Sequence, residues 1–327
     1  METGLDFELN DGEQIGRWRA KNEVFKERSV DVLHPFAVFN IEITNRCPLK
    51  CVMCPRTHDM TRSEGLMDLS VFRKIIDELV CCNPAWSNEV PVRLHGFGES
   101  LVHPQFDEFI RYAEAQGVRT CMSINPIVLN RAIADRLLGA GPSLLYISLD
   151  GHNDDTFLQI RGLAHAYERS KDNLLHFLDS KRQKGVHTRI VLSMIDFFLN
   201  EQSLAIAQRY WSEVEGIDEV RIKPFCTWDG NAANVNKLIQ VEGHVEGLET
   251  QQRSVSCRWP WTSVTVLWDG DVVPCCFDFD KRYVLGNVAS EALAAIWQGP
   301  RMRELRQQFM TGDVTNTLCK NCGSLRA

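Results

Sequence analysis

The chain has 327 residues, of which 44% are apolar and 24% charged, proportions that fit a folded globular protein and exclude disorder or a fibrous repeat. That length accommodates two domains, or a longer barrel-like α/β unit with an appendage. Forty-three acidic against 36 basic side chains leave a formal net charge of −7, which works against nucleic acid or anionic lipid as a partner and favours a small or neutral one.

The sequence opens Met1-Glu2-Thr3-Gly4-Leu5-Asp6, without the basic start and apolar centre of a secretory signal. No stretch approaches the roughly 18 consecutive apolar residues of a membrane span. The expectation is a cytoplasmic protein with no membrane and no nucleic-acid partner. Twelve cysteines in such a chain point to metal, cluster or redox chemistry before disulfides. Residues 1–35 are mostly polar and read as an N-terminal extension, too short for a separate peptide-recognition domain.

The first strand-like segment, 36–43, is Phe36-Ala37-Val38-Phe39-Asn40-Ile41-Glu42-Ile43, rich in β-branched and aromatic residues. Cys47, Cys51 and Cys54 follow as Cys-x3-Cys-x2-Cys, on a loop beyond the strand's carboxyl end. Three close thiolates can hold three irons of a [4Fe–4S] cluster and leave the fourth open, whereas structural zinc normally takes four protein ligands. The missing fourth ligand favours the cluster over zinc or three unlinked thiols.

This triad resembles the signature of the radical S-adenosylmethionine superfamily. The resemblance implies that the open iron binds the amino and carboxylate groups of S-adenosylmethionine, and that one electron releases a 5′-deoxyadenosyl radical that abstracts a substrate hydrogen. It also implies an external one-electron reductant such as flavodoxin or ferredoxin. Met53 stands where members often have an aromatic residue, and retains apolar packing near adenine.

Beyond a helix-like stretch at 68–80, opened by Asp68, comes a strand-like segment at 90–95 and then His95-Gly96-Phe97-Gly98-Glu99-Ser100. This resembles the family's Gly-Gly-Glu segment, with Gly98 and Glu99 matching and Phe97 in place of the first glycine. The implied role is support of the methionine amino group. Strand-like segments at 118–124, 143–149, 188–194 and 218–224 then alternate with helix-like ones at 105–116, 129–139, 167–184 and 201–214, predicting parallel strands joined by helical crossovers. Ser148 on the fourth strand resembles a serine that reaches the ribose, Arg161 an arginine that pairs with the methionine carboxylate, and Ser193 a further cofactor contact. Six such units agree with the partial (β/α)6 TIM-like barrel that the resemblance implies, over 36–245, with function at the carboxyl-end loops.

A polar stretch at about 229–254 reads as the connection to a last domain, 246–327. There Cys257 and Cys275 flank a β-hairpin signal, Asp269-Gly270 between apolar runs, and helical segments lead back to Cys319-Lys320-Asn321-Cys322. On chemistry alone four thiolates suit zinc or an iron–sulfur cluster, and spacing does not choose. The pattern Cys-x12-Gly-x4-Cys with a terminal Cys-x2-Cys resembles the Twitch domain, a shortened SPASM domain. The resemblance implies one auxiliary [4Fe–4S] cluster on Cys257, Cys275, Cys319 and Cys322, with Cys276 a packed thiol.

Twitch-bearing relatives include dehydrogenases of aminocyclitols and epimerases of aminoglycosides. The leading expectation is a radical dehydrogenase that oxidises a secondary alcohol of an aminocyclitol or sugar-like natural-product intermediate, with the auxiliary cluster as electron acceptor. Epimerisation is the runner-up, with Cys226, just past the sixth strand, as catalytic hydrogen donor; peptide modification is third. The non-enzymatic alternative is a zinc-binding scaffold. Trp228, Trp259 and Trp261 are candidates for a substrate cavity, with apolar packing the simpler role.

Overall fold

Strand β1 (Val38–Ile41) is buried along its whole length, as a β-branched and aromatic run in the middle of a parallel sheet requires. The computed structural model describes residues 28–84, 90–197, 201–240 and 257–322. Residues 1–27 of the extension and the expected domain boundary near 246 lie outside them.

After β1 the cysteine loop leads into the four-residue α1 (Pro55–His58), with proline at its start. Helix α2 (Leu69–Cys82) is opened by Asp68, whose side chain accepts from the Ser70 amide at 2.7 Å, and it buries Phe72, Ile75, Ile76 and Leu79 along one face. Strand and helix then alternate as β2 (Val92–Arg93), α3 (Phe106–Ala115), β3 (Thr120–Ile124), α4 (Arg131–Ala140), β4 (Leu144–Ser148), α5 (Asp154–Arg161), α6 (Tyr167–Lys184), β5 (Arg189–Asp196), α7 (Glu201–Ser212) and β6 (Glu219–Pro224). Neighbouring strands of this series pair in parallel, in the spatial order β6-β5-β4-β3-β2-β1.

One face of the sheet, carrying Met122, Ile124, Leu145, Ile147, Leu192 and Met194, belongs to the large apolar core shared with the helices. The register sets Ser123, Tyr146, Val191 and Glu219 in a row on the other face. That second face, the inner face of a partial barrel, has its own small apolar cluster of Cys121, Leu144, Tyr146 and Val191.

The remaining described elements are α8 (Ala233–Gln240), α9 (Trp259–Thr262), β7 (Val264–Val266), β8 (Asp271–Val273), β9 (Gly286–Asn287), α10 (Leu293–Trp297) and α11 (Pro300–Thr311). The expected hairpin forms: β7 and β8 are antiparallel, and Gly270 supplies the positive φ of the turn at 85°. The hairpin is not detached from the barrel, because β7 pairs in parallel with β1 and extends the sheet to nine strands. Pairing there satisfies the second edge of β1, which would otherwise present open backbone groups.

Two stretches differ from expectation. Residues 233–240, expected as part of a connection, form α8, because Val235 is buried against Phe97 and Phe279. Helix α5 was not marked by long periodicity; its two turns are fixed by Asn153, which accepts from the Thr156 amide at 2.9 Å, and by burial of Phe157 and Ile160. The described part of the extension lies against the tail: Trp261 Nε1 donates to Ser29 O at 2.8 Å, and Arg306 Nη1 to Val30 O at 3.3 Å.

Candidate active site

Cys47, Cys51 and Cys54 share an apolar setting with Leu49, Met53, Ile160 and Phe197, just past the carboxyl end of β1. Burial, with Glu99 next, pushes the Cys47 thiol up to about 11; burial, with Cys51 next, pushes Cys54 up to about 12. Such thiols stay protonated alone and ionise only when a cation compensates them, as a thiolate-ligated cluster does. The donor set therefore fits a cluster with one open corner.

Arg161 ties this loop to the strand ends. Its Nη1 lies 3.5 Å from Cys51 Sγ, and its Nη2 pairs with the buried Asp150. Burial opposes the guanidinium charge, but Asp150 and Cys51 outweigh it and hold the pKa above its ordinary value. Asp150 is itself held by the Ile195 amide at 2.7 Å. Gly162, at φ 70°, lets the chain pass Lys50 O, which a Cβ would approach to 2.5 Å.

Gly98 sits against the same loop, and a Cβ there would meet Thr44 O at 2.2 Å. Glu99 is buried, with its amide donating to Arg46 O at 2.8 Å and its carboxylate accepting from the amides of Asn125 (2.8 Å) and Leu101 (3.2 Å). Burial pushes its carboxyl up to about 7. Ser148 and Ser193 are register partners on the inner face, and Ser148 Oγ lies 3.4 Å from Ser123 Oγ. Met53 is buried, and its carbonyl accepts from Trp228 Nε1 at 2.9 Å. The structure thus brings Met53, Gly98, Glu99 and Arg161 to the triad loop, while Ser148 and Ser193 sit side by side on β4 and β5. Cys226 is exposed beyond β6, next to Phe225, which stacks on Phe197 at 4.9 Å in the apolar cluster that the triad joins.

The second group converges fully. Cys257, Cys275, Cys319 and Cys322 line one apolar cavity with Trp259, Phe277, Leu305, Phe309 and Leu318. Burial raises Cys257 and Cys319, with neighbouring thiols next in effect; Cys275 is raised first by its contact with Cys276 and then by burial. Three raised thiols and Cys322 around one apolar cavity suit a closed tetrathiolate cluster. Cys276 does not line the cavity; it packs in the cluster of Phe39 and Trp259 that Cys257 and Cys275 also join. Gly230 admits the terminal cysteine pair: at φ 77°, its Cβ would meet Asn321 O at 1.9 Å.

Several joining residues carried no sequence signal. Arg62 binds Glu42 in a fork, Asp280 receives the amides of Thr61 and Arg62, and Arg62 Nε donates to Phe279 O at 2.7 Å. Trp228 contacts both Phe97 and Phe277, with centroids at 5.2 and 5.7 Å. Of the three tryptophans weighed for a cavity, Trp259 lines the four-cysteine one, while Trp261 is core, packed on Phe309. Among the described residues no helix is long and apolar enough to cross a membrane.

Comparison with known proteins agrees with these features. Residues 41–194 match the family model for the radical SAM superfamily, and residues 257–323 match that for SPASM, an iron–sulfur cluster-binding domain. The two domains imply a SAM-binding [4Fe–4S] cluster and an auxiliary iron–sulfur cluster. The chain is 26% identical over 320 residues to the tungsten-containing aldehyde ferredoxin oxidoreductase cofactor-modifying protein of Pyrococcus furiosus, covering 88% of this chain and 86% of that one. It is 20% identical over 293 residues to the S-adenosyl-L-methionine-dependent 2-deoxy-scyllo-inosamine dehydrogenase of Niallia circulans, covering 89% and 94%. The solved structure of BtrN in complex with AdoMet and 2-DOIA shares the fold, with a TM-score of 0.57 at 18% identity, over 88% of this chain and 93% of that one.

Proposed function

We propose, from the matches of residues 41–194 to the radical SAM family model and of residues 257–323 to the SPASM one, that the chain oxidises a secondary alcohol of an aminocyclitol or sugar-like small molecule. Cys47, Cys51 and Cys54 would hold the SAM-binding cluster, and Cys257, Cys275, Cys319 and Cys322 the auxiliary one. When bound, these groups supply abstraction of the carbinol hydrogen and uptake of the remaining electron, while the hydroxyl proton leaves to a base or water.

The chain's own part is positioning and exclusion of water. Gly98 and Glu99 would face the methionine amino group, Arg161 its carboxylate, Ser148 and Ser193 the ribose side, and Met53 the adenine. A flavodoxin- or ferredoxin-like protein would deliver the initiating electron.

The observation that carries this reading is the contact between Phe39 and Trp259, whose rings meet edge-on at 4.5 Å. Phe39 lies under Arg93 on the inner face, and Trp259 lines the four-cysteine cavity. A substrate seated on the inner face therefore has the auxiliary site as its immediate neighbour, as an enzyme that hands the substrate's second electron inward requires.

Epimerisation is the second reading, and exposed Cys226 beside Phe225 is the observation that favours it. Anaerobic reconstitution tests both, starting with iron analysis, where two clusters require about eight irons per chain. With carbinol-deuterated substrate, oxidation puts deuterium in 5′-deoxyadenosine and yields a ketone. An inverted centre carrying solvent hydrogen, lost in Cys226→Ser, would establish epimerisation instead. Zinc in the tail with no cleavage of S-adenosylmethionine would sink the enzymatic reading altogether.

A further inference from the structure

The segment that leaves β6, Cys226-Thr227-Trp228-Asp229-Gly230-Asn231, runs between the two cysteine groups, and consecutive side chains in it serve different ones. Trp228 turns to the front, where its Nε1 donates to Met53 O at 2.9 Å. Asp229 turns to the rear and lines the cavity of Cys257, Cys275, Cys319 and Cys322. The backbone divides them by placing Trp228 at φ 57°, a left-handed conformation that bulky side chains rarely adopt and that clusters at functional sites.

Asp229 supplies the one carboxylate among the described residues lining that cavity, whose other walls are sulfur and apolar groups such as Phe277, Leu305 and Phe309. It is 1% exposed. Burial works against its charge and raises the pKa, with Asn231 and Arg282 acting in the opposite sense. Both oxygens nevertheless face donors: Oδ1 accepts from the Asn231 amide at 2.9 Å and Oδ2 from Asn231 Nδ2 at 3.0 Å, with Arg282 Nε 3.3 Å away. An amide side chain has a single accepting oxygen and does not meet donors on both sides, so the setting is built for the ionised acid.

A buried charge is costly, and a turn of this kind does not need one, since asparagine closes such turns equally well. What the acid does bring is a fixed negative charge in the wall of a low-dielectric cavity, where Coulomb interactions are strong. Net charge around an iron–sulfur cluster is one of the properties that set its reduction potential, and a neighbouring anion disfavours the reduced, more negative form.

We infer that Asp229 is a potential-setting residue of the auxiliary site, holding the cluster there at a lower reduction potential than its four thiolates alone would give. This deepens the proposed function and rests on it for the site's role as electron acceptor. With its potential held low, the auxiliary cluster stays oxidised while the one-electron carrier primes the front one. It is then able to take the single electron that the substrate gives up as its carbonyl forms and its hydroxyl proton leaves to a base or water.

The test is an anaerobic redox titration of the reconstituted holoenzyme without substrate, following by electron paramagnetic resonance the cluster whose signal does not respond to S-adenosylmethionine. In Asp229→Asn and Asp229→Ser the reduced form of that cluster should be favoured about tenfold or more, a midpoint about 59 mV higher for one electron. Asp229→Glu should keep the midpoint near its starting value, and the front cluster should keep its own in all three variants. Unchanged midpoints in both neutral variants, or an upward shift shared by Asp229→Glu, would overturn the inference. Loss of the roughly four tail-bound irons from both neutral variants would overturn it as well, since Asp229 would then be holding the shape of the cavity. Iron and zinc analysis keeps the two ideas apart: zinc in the tail sinks the reading of the reaction, whereas two intact clusters with an unmoved potential sink only the role of Asp229.

Discussion

Arg62 and Glu42 form a buried, two-pronged ion pair, with Nη1–Oε1 at 2.7 Å and Nη2–Oε2 at 2.6 Å and with side chains 5% and 0% exposed. The pair stands where the triad loop, the Gly98 loop and the tail meet, because Glu42 also receives the Phe97 amide at 3.1 Å and Arg62 reaches Phe279 O. Removing one partner strands a charge away from water. Arg62→Met is expected to lower unfolding free energy by about 3–5 kcal/mol. The double variant Glu42→Leu/Arg62→Met should lose clearly less, since no charge is then left behind. Urea unfolding of the three proteins measures the difference, and equal losses for the single and double variants would refute it.

Gly230 and Gly98 make separable predictions because each opens space for one cysteine group. In Gly230→Ala the new methyl collides with the Asn321 backbone and the left-handed φ is strained. The terminal cysteine pair should be displaced, so iron after reconstitution should fall from about eight to about four per chain, with the front cluster retained. Gly98→Ala presses on the backbone of Thr44 and Asn45 instead. It should weaken S-adenosylmethionine binding by tenfold or more, on the order of the loss of one charge-assisted hydrogen bond, and leave the tail's iron in place.

His103 gives the fold a pH dependence remote from either cysteine group. Gln105 N can only donate and Met67 O can only accept, so the hydrogen bonds at 3.1 Å to each fix Nδ1 as acceptor and Nε2 as the protonated nitrogen. Burial lowers the pKa from 6.5, and the neutral ring is the native form. Between the lowered value and 6.5 the unfolded chain binds the additional proton, so stability is full above about 6.5 and declines as pH falls through the folded pKa. The urea midpoint should drop between about pH 7.5 and about pH 5, and His103→Gln should flatten that drop. An unchanged slope in the variant would refute this role.

Much of this arrangement was legible from local pattern. The triad's spacing, the alternation of strands and helices, and Asp269-Gly270 between two apolar runs each record a constraint that acts over a few residues. What stayed hidden depends on closure over long distances. Glu42 and Arg62 meet because the loop folds back on Thr44 and Asn45, and because β7 pairs with β1 and brings Phe279 and Asp280 to it. Asp150 lies just past the strand expected at 143–149, and its link to Arg161 needs both the turn after β4 and the capped helix α5. The charges at Arg221 and Lys223 were visible at two-residue spacing, which places both on one side of a strand. Nothing local indicates that this side faces the barrel interior.

The Asp150–Arg161 pair leads to the last prediction. Arg161 lies 3.5 Å from Cys51 Sγ, and Asp150 offsets much of its positive charge there. In Asp150→Asn the guanidinium acts on the front cluster unopposed, which favours the more negative, reduced cluster. The midpoint potential of that cluster should move upward in an anaerobic redox titration. Arg161→Gln removes the positive charge and should move it downward. If Arg161 also faces the methionine carboxylate, the two variants diverge in a second measurement: Arg161→Gln should weaken S-adenosylmethionine binding by about tenfold or more, whereas Asp150→Asn, whose arginine has lost its protein partner, should not weaken it beyond what a small shift of the side chain brings. Potentials that move the same way in both variants would show that Arg161 acts on the loop's packing and not through its charge.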